Sequence, residues 1–307
     1  MNPKTRCCGI LSNTKDNEGY EQSDAIIYTG AAPNQQIIPA VEWCLKKLFA
    51  QRGINSCEGR FYLVGSDYVF PQRANAIIRR HLREKGINPV GKRYARLGET
   101  NFNDIVDDLK ATKPHVVINT VNGSSNISLF RALADRGIRA EETPVVSLSV
   151  AEAEIRDIGA LRLKGHYAVW NYFQSLPGSA NERFVTDFQQ KYGTGRVTSD
   201  PIATSYIQIK LFAEAAQKAR ILTREELRKQ LAVVEIDTPA GRLRFDPITG
   251  HFCKYVYIGR VNEEGQFEIV ESWNNGALVA PDPFPFPDLS EDFLKNEFSS
   301  DGVSPSL

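Results

Sequence analysis

Short runs of apolar residues alternate with longer segments of helical period along most of the chain. Each run ends in polar or glycine-containing residues, which is typical of parallel strands joined by helices that cover both faces of a sheet. The pattern therefore predicts an α/β fold. The predicted strands are Ala25–Thr29, Phe61–Gly65, Val90–Leu97, His115–Val121, Val145–Val150 and Tyr167–Phe173. The predicted helices are Gln36–Phe49, Gln72–Gly86, Phe102–Thr112, Ser125–Gly137, Ala180–Tyr192, Pro201–Ala219 and Thr223–Leu231.

Local end signals accompany several of these helices. Asn101 and Thr223 are of the residue types whose side-chain oxygens cap helix N-termini. Gly86 and Gly137 stand where a helix ends and a left-handed backbone conformation is favoured. These residues therefore mark the expected limits of four helices.

After Asp237 the pattern changes to short strands separated by glycine-containing turns, which predicts an antiparallel appendage to the parallel sheet. Its predicted strands are Gly241–Phe245, Cys253–Val261 and Gln266–Trp273. Residues 281–307 begin with four prolines within seven residues. Because proline fixes φ and removes a donor, we expect an extended surface segment followed by a frayed tail.

The charge balance is neutral, with 37 basic and 37 acidic side chains among 307 residues. A chain without a basic field does not attract phosphate backbones or anionic lipids, so no nucleic-acid partner is expected. No window approaches the roughly 20 apolar residues of a membrane span, so no membrane insertion is expected. Met1–Leu11 lacks the apolar run of a signal peptide. Expressed as written, the chain is expected in the cytoplasm.

Catalytic and metal-binding motifs are missing from the sequence. The five cysteines have no paired metal-ligand spacing and are expected to be free thiols: Cys7, Cys8, Cys44, Cys57 and Cys253. The four histidines are scattered, and Ser12–Lys15 matches an S-x-x-K string without its usual companions. There is no nucleophile elbow, phosphate loop or dinucleotide fingerprint. We therefore predict no catalytic residue, no metal site and no cofactor.

Ligands of open parallel sheets bind at the carboxyl ends of the strands, so the turns there are the candidate site. The turn after Phe61–Gly65 carries Tyr68 and Phe70, whose rings either wall a pocket or pack under the next helix. The turn after His115–Val121 carries Asn122, which can donate and accept hydrogen bonds, and Gly123, which gives a flexible backbone. Ser124 or Ser125 in that turn is expected to cap the following helix.

Two further turns add candidates. Ser149 lies at the end of its strand and is the pocket candidate there, whereas Glu152 is expected to favour a helix N-terminus through its charge. Trp170 belongs to an aromatic stretch that either floors a cleft or lies in the core. All these turns offer neutral donors, acceptors and ring faces, which indicates an uncharged ligand.

Several segments closely resemble the urea- and short-chain-amide-binding proteins of bacterial ABC uptake systems, a branch of the branched-chain-amino-acid-binding family. The segments are 28–36, 64–71, 119–123, 149–154, 170–173, 238–241 and 281–283, within a similarity that covers roughly residues 17–287. The resemblance implies a type I periplasmic-binding-protein fold with two doubly wound parallel-sheet lobes. It also implies a solute-binding component that binds urea or a short-chain amide between the lobes, partners ABC permease subunits and is periplasmic.

Transferred residue by residue, the second-lobe pocket of the family falls on Tyr68, Phe70, Asn122 and Ser149. The side-chain amide of Asn122 favours the urea-like branch. Gly123 and Trp170 complete the predicted ligand-binding set. By the same resemblance the chain is not an enzyme.

Family members begin with an export signal and several βα units of the first lobe, to which nothing here corresponds. The resemblance therefore implies an incomplete first lobe at 22–55 and 170–235, a nearly complete second lobe at 61–167 and 237–273, and a tail at 281–307. This truncation is expected to uncover the apolar faces of the helices at 36–49 and 201–219 and to weaken solute binding.

Two other functions remain open at this point. One is an amide-sensing regulatory module, which a neighbouring antiterminator or kinase gene would favour over transport. The other is a hydrolase, which turnover of urea or acetamide would support.

Overall fold

The computed structural model describes residues 9–11 and 25–286. Its strands are β1 (Gly9–Leu11), β2 (Ile26–Tyr28), β3 (Phe61–Ser66), β4 (Gly91–Ala95), β5 (Val116–Thr120), β6 (Val145–Ser147), β7 (Tyr167–Trp170), β8 (Arg244–Phe245), β9 (Phe252–Cys253), β10 (Tyr257–Val261) and β11 (Phe267–Ser272). Its α-helices are α1 (Ile37–Trp43), α2 (Phe49–Gln51), α3 (Val69–Arg83), α4 (Asn103–Thr112), α5 (Ser125–Asp135), α6 (Glu152–Ile158), α7 (Ala160–Leu163), α8 (Ser179–Tyr192), α9 (Asp200–Lys218) and α10 (Arg224–Leu231). Predictions for Cys7, Cys8, Ser12–Lys15 and the tail after residue 286 lie outside the described residues.

Seven strands form the central sheet in the order β11-β10-β7-β6-β5-β3-β4. The strands from β4 to β7 run parallel, and the hairpin β10–β11 adds two antiparallel strands beside β7. The strands predicted at Phe61, His115 and Val145 are therefore neighbours in one parallel sheet, which confirms that prediction. The predicted antiparallel appendage extends the main sheet as β10–β11 and forms a separate small hairpin as β8–β9.

Both faces of the central sheet are buried. Phe61 and Leu63 of β3 pack in one apolar cluster with α1 and α3, whereas Tyr62 and Val64 pack in another with α4, α5 and α6. All residues of β3 are buried, as expected for a strand without polar alternation that is covered on both sides. The strand ends are thus the part of the sheet that a solute can reach.

The bounds of several elements differ from the predictions. Helix α3 begins at Val69 rather than Gln72, because its first turn includes Pro71, a residue that the first turn tolerates. The predicted strand Cys253–Val261 is divided between β9 and β10, where the chain passes from the small hairpin to the main sheet. No bounds were predicted for α6, although a helix N-terminus was expected at Glu152, and α7 was not predicted; Gly159, with φ of 100°, separates the two helices.

Helix α1 is covered, so the expectation of an exposed apolar face there is wrong. Ile37, Val41 and Trp43 are at most 2% exposed, because this helix lies on the central sheet and packs against α3. Helix α9 does expose apolar side chains, with Ile209 61% and Tyr206 37% exposed. The expected exposure of apolar side chains is therefore found on α9 and not on α1.

The predicted helix ends are largely confirmed. The Glu226 N–H donates to Thr223 Oγ1 at 3.3 Å, so Thr223 caps α10. Gly86 and Gly137 have φ of 74° and 72°. Asn101 accepts a hydrogen bond from the Asn103 N–H at 3.1 Å, although the N-cap position of α4 is the next residue along the chain.

Glu42 on α1 joins this helix to α3 through a buried carboxylate. Its side chain is 8% exposed and lies 2.6 Å from Lys46 Nζ, 2.7 Å from His81 Nε2 and 2.7 Å from Lys85 Nζ. Burial raises the pKa of Glu42, but hydrogen bonds from these three partners outweigh burial and lower the pKa to about 2. The folded protein therefore stabilises the charged form of this side chain.

We expect acid to remove this stabilisation. Because the pKa of Glu42 falls from 4.5 to about 2 on folding, its contribution is complete above pH 4.5 and is lost as the pH falls toward 2. Glu42→Gln should lower the free energy of unfolding at pH 7 by at most about 3 kcal/mol and flatten the acid limb of its pH profile. Urea melts between pH 2 and 7 measure both effects. Glu182→Gln, at an exposed position on α8, is the matched control and should keep the acid limb. An unaltered limb in Glu42→Gln would contradict the assignment.

Candidate functional site

Hydrogen bonds tie together four turns at the carboxyl edge of the central sheet. They link the ends of β3, β5, β6 and β7 in the order in which these strands lie in the sheet. The bonds are Asn122 N to Ser66 Oγ (3.0 Å), Ser149 Oγ to the Val121 carbonyl (2.5 Å) and Trp170 Nε1 to the Val150 carbonyl (2.7 Å). The structure therefore brings all four predicted turns to one continuous surface.

Tyr68 and Phe70 follow β3 and differ in exposure. Tyr68 is half-buried at the residue before α3, whereas Phe70 is 5% exposed. Their ring centroids lie 6.3 Å apart. Phe70 is part of the apolar cluster under α3, which agrees with the interpretation that its ring packs under the next helix. Tyr68 packs against the same cluster from the edge. Tyr68 is thus the ring nearer to solvent.

Asn122 is half-buried and its amide is oriented by its own turn. Its Nδ2 donates to the Thr120 carbonyl at 3.0 Å. Among the described residues no donor reaches its Oδ1, so this oxygen is an acceptor presented at the edge. Gly123 follows with an exposed left-handed backbone at φ of 66°.

The expected capping of α5 by a serine hydroxyl is wrong. Ser124 occupies the N-cap position but makes no side-chain cap bond. Ser125 Oγ is buried and has no hydrogen-bond partner among the described residues. Ser124 adopts helical φ and ψ, which points its hydroxyl away from the first N–H groups of α5. Backbone carbonyls of the turn accept the hydrogen bonds of these N–H groups instead.

Ser149 and Trp170 each donate to the backbone of a neighbouring turn. Ser149 is half-buried, and its oxygen keeps lone pairs for a further donor. Trp170 is half-buried and packs at the margin of the main apolar cluster. Its indole therefore belongs partly to the core and partly to the edge.

The edge carries little fixed charge. No lysine or arginine occurs in the turns 65–71, 119–125, 146–153 and 170–175. Asp67 is exposed and accepts a hydrogen bond from Gln72 Nε2 at 2.7 Å. A surface whose turns lack lysine and arginine favours neutral polar partners.

Glu152 does not have the role expected from the sequence. It is 1% exposed, and its Oε1 accepts the Gln174 N–H at 2.6 Å, while its Oε2 has no partner among the described residues. Burial raises the pKa of Glu152 to about 8, against the lowering effect of the Gln174 bond. At neutral pH this carboxyl is mostly uncharged, so it cannot favour the helix N-terminus as an anion.

A crossing of chain segments beside the edge was not predicted. Gln35 is fully buried, and its Nε2 donates to the carbonyls of Phe252 and Val279 at 2.8 and 2.9 Å. Asn171 Nδ2 donates to the carbonyls of Gln35 and Tyr255 at 3.0 and 2.8 Å. Three segments distant in sequence are thereby joined by side-chain amides directly after β7.

Gln36 makes a second connection at the same place. Its side chain is fully buried, and its Nε2 donates to the Val169 carbonyl at 2.6 Å and to the Leu148 carbonyl at 3.3 Å. The pairing of β6 with β7 ends one residue before these carbonyls. The only sequence signal for this crossing was a pair of adjacent glutamines in an apolar context.

Three cavities lie in other parts of the described structure, away from the predicted site. Their volumes are about 660, 560 and 470 Å³. The first is lined by residues of α5 and α7, the second by residues of α10, and the third by residues around Glu42.

In the described ranges no cluster of three or more histidine, cysteine or acidic side chains could hold a metal ion. Within the same ranges, no helix combines the length and apolar character needed to cross a membrane.

A family model described as a periplasmic binding protein domain matches residues 9–288. The chain belongs to this family. Its mainly parallel central sheet with helices on both faces is the type I periplasmic binding protein fold, which confirms the predicted fold class.

Solved structures of solute-binding proteins share this domain's fold. The amino acid ABC transporter substrate-binding protein from Pseudomonas fluorescens Pf-5 is 18% identical, with a TM-score of 0.71 over 90% of this chain and 72% of that one. A leucine-, isoleucine-, valine-, threonine- and alanine-binding protein from Brucella ovis is 13% identical, with a TM-score of 0.74 over 91% and 73% of the two chains. A solute-binding protein from R. palustris in complex with benzoate is 15% identical, with a TM-score of 0.74 over 89% and 72%. At these identities the likeness shows the fold alone.

One curated relative is named as an enzyme rather than as a binding protein. The limonene hydroxylase of Geobacillus stearothermophilus is 32% identical over 126 residues, which is 41% of this chain. The chain spans only 23% of the length of that relative. Its activity is therefore not assigned to this periplasmic binding protein domain.

The raised pKa of Glu152 predicts loss of stability as the pH rises from 4.5 to about 8. Because the pKa rises from 4.5 to about 8 on folding, the advantage of the folded state is complete below pH 4.5 and is lost as the pH rises toward 8. Glu152→Gln keeps the shape of the protonated acid and should raise the melting temperature above that of the parent chain at pH 9 but not at pH 5. Thermal melts at both pH values measure this. The control is Glu268→Gln, at an exposed carboxyl. Equal differences at the two pH values would show that Glu152 does not titrate in this range.

Proposed function

We propose that this domain is the solute-binding component of an ABC-type uptake system and binds urea or a short-chain amide at the carboxyl edge of the central sheet. The observation that carries the proposal is the hydrogen-bonded row of turns that presents Tyr68, Asn122, Gly123, Ser149 and Trp170 on one surface. Family membership supports a binding role.

The chemistry of the edge supports a neutral solute. The related structures are named for amino acids and benzoate, which carry a carboxylate. The four turns here contain no lysine or arginine to pair with such a group. A carbonyl group with amide N–H donors needs only neutral acceptors and donors, so it meets no uncompensated charge in these turns.

Asn122 supports an amide in particular. Its Nδ2 is bonded within the turn, which orients Oδ1 outward as an acceptor for a solute N–H. Ser149 Oγ has lone pairs that can accept a second N–H, because its own hydrogen is given to the Val121 carbonyl. Tyr68 would supply the apolar wall that limits the size of the solute, with the buried ring of Phe70 packed behind it.

The division into lobes belongs to the same proposal. Residues 61–167 with 237–273 would form the second lobe, and residues 170–235 with the part of 22–55 that precedes α1 would belong to the first, because α1 itself packs on the central sheet. The crossing at Gln35 and Asn171 supports a hinge between them, because segments of both parts meet there. In a transport system the closed form would be recognised by permease subunits in the periplasm.

Calorimetric titration with urea, formamide and acetamide tests the proposed solute. Asn122→Ala should weaken binding about 2- to 13-fold, because one hydrogen bond contributes about 0.5–1.5 kcal/mol. Asn88→Ala removes an exposed asparagine before β4, at the opposite end of the strands, and should leave affinity unchanged. Binding of leucine in place of all three amides would contradict the proposal, and equal effects of the two substitutions would contradict the role of Asn122.

A further inference from the structure

We propose a second ligand site, at the amino end of the central sheet, in which His166 and the arginines Arg139 and Arg162 bind a small organic carboxylate. These residues line the cavity of about 660 Å³ between α5 and α7. This volume lies within the range of about 300–1,000 Å³ that small-molecule sites occupy. The cavity is at the other end of the strands from the proposed amide site, and the two proposals are independent.

The centre of the argument is the fixed ring of His166. This residue is 3% exposed, and its Nδ1 accepts the Val145 N–H at 2.9 Å. The ring also packs edge-on against Phe130, with centroids 5.4 Å apart. Its backbone is held as well, because its N–H donates to the Leu163 carbonyl at 2.9 Å. The ring is thereby fixed in position.

The same bond determines the tautomer of the ring. Since Nδ1 accepts a hydrogen bond, the neutral ring carries its proton on Nε2. Burial lowers the pKa of His166 to about 4, so the ring is neutral at physiological pH. Among the described residues no acceptor reaches Nε2. His166 therefore supplies a nearly buried N–H donor to the cavity that it lines.

The rim of the cavity is cationic. Arg162 donates one N–H to the Ile158 carbonyl at 3.0 Å and keeps further donors, while no partner of the Arg139 guanidinium lies among the described residues. Lys164 is paired with Glu263, and the charge of Glu141 also favours its protonated form. After these pairings the arginines leave an excess of positive charge, which favours an anion.

The remaining lining selects an anion with an apolar part. The side chains of Ala134, Ile138, Ala160 and Leu161 line the cavity, and Leu161 is 84% exposed. Inorganic phosphate would leave this surface in water, whereas the ring or chain of an organic acid would cover it. A carboxylate could accept from Nε2 of His166 with one oxygen and from an arginine with the other.

Benzoate is a suitable probe, and NMR of the full chain gives the readout. We expect benzoate to shift the His166 ring resonances with a Kd of about 1 mM or tighter. We also expect it to raise the pKa of His166, because a bound anion favours the protonated ring. Benzyl alcohol, which has the same ring without the charge, should bind at least about tenfold more weakly, and phosphate likewise.

Matched variants distinguish this site from others. Arg139→Gln and Arg162→Gln should each weaken benzoate binding at least about tenfold, whereas Arg131→Gln, at an exposed position of α5 outside the cavity, should not. His166→Asn keeps an acceptor near Val145 and lacks the Nε2 donor, so it should also weaken binding. Because the two arginines are exposed, their variants remain informative if His166→Asn does not fold.

The outcome also separates this site from the amide site. Asn122→Ala should leave the benzoate-induced shift of His166 unchanged. Absence of any shift with benzoate, a shift that survives both arginine substitutions, or equal binding of benzyl alcohol would overturn the proposal. Loss of the shift in Asn122→Ala would place benzoate at the carboxyl edge and would overturn it as well.

Discussion

Buried side-chain amides hold the carboxyl edge of the central sheet against the segments that cross beside it. Gln36 bonds to carbonyls beyond the end of the β6–β7 pairing, and Gln35 is bonded to Phe252 and Asn171, with whose segments its own forms no strand ladder. A buried carbonyl left without a donor costs about 1–3 kcal/mol, so each of these bonds constrains the crossing strongly. The turns that form the candidate site depend on this arrangement, because they extend from the same strand ends.

Amides suit this position for a physical reason. A carboxamide donates and accepts in fixed directions and carries no net charge, so it can be buried without a counter-ion. Glu152 follows the same principle, since its carboxyl is held in the neutral form close to the crossing. The edge is therefore polar but weakly charged. Specificity at such an edge must come from the direction of hydrogen bonds rather than from ion pairing.

The parallel sheet could be predicted because β3 and β5 begin with runs of apolar residues and are followed by helical periods, and both signals are local. The turns could be located because parallel strands end at a common edge. The crossing could not be predicted, since Gln36 bonds to carbonyls 112 and 133 residues further along the chain. The burial of Glu152 could not be predicted for the same reason. Its partner Gln174 is 22 residues away, whereas the local sequence shows only an acidic residue at the start of a helix.

The indole of Trp170 gives the carboxyl edge an optical signal of its own. The chain has three tryptophans, and Trp43 is only 2% exposed, which shields it from solvent. Trp170 is half-buried at the edge, and its N–H is fixed to the Val150 carbonyl. Indole emission moves to longer wavelength as the surroundings become more polar and mobile. Because this ring cannot turn away without breaking its bond, its fluorescence reports the hydration of the edge without an attached dye once the half-buried Trp273 is replaced by phenylalanine.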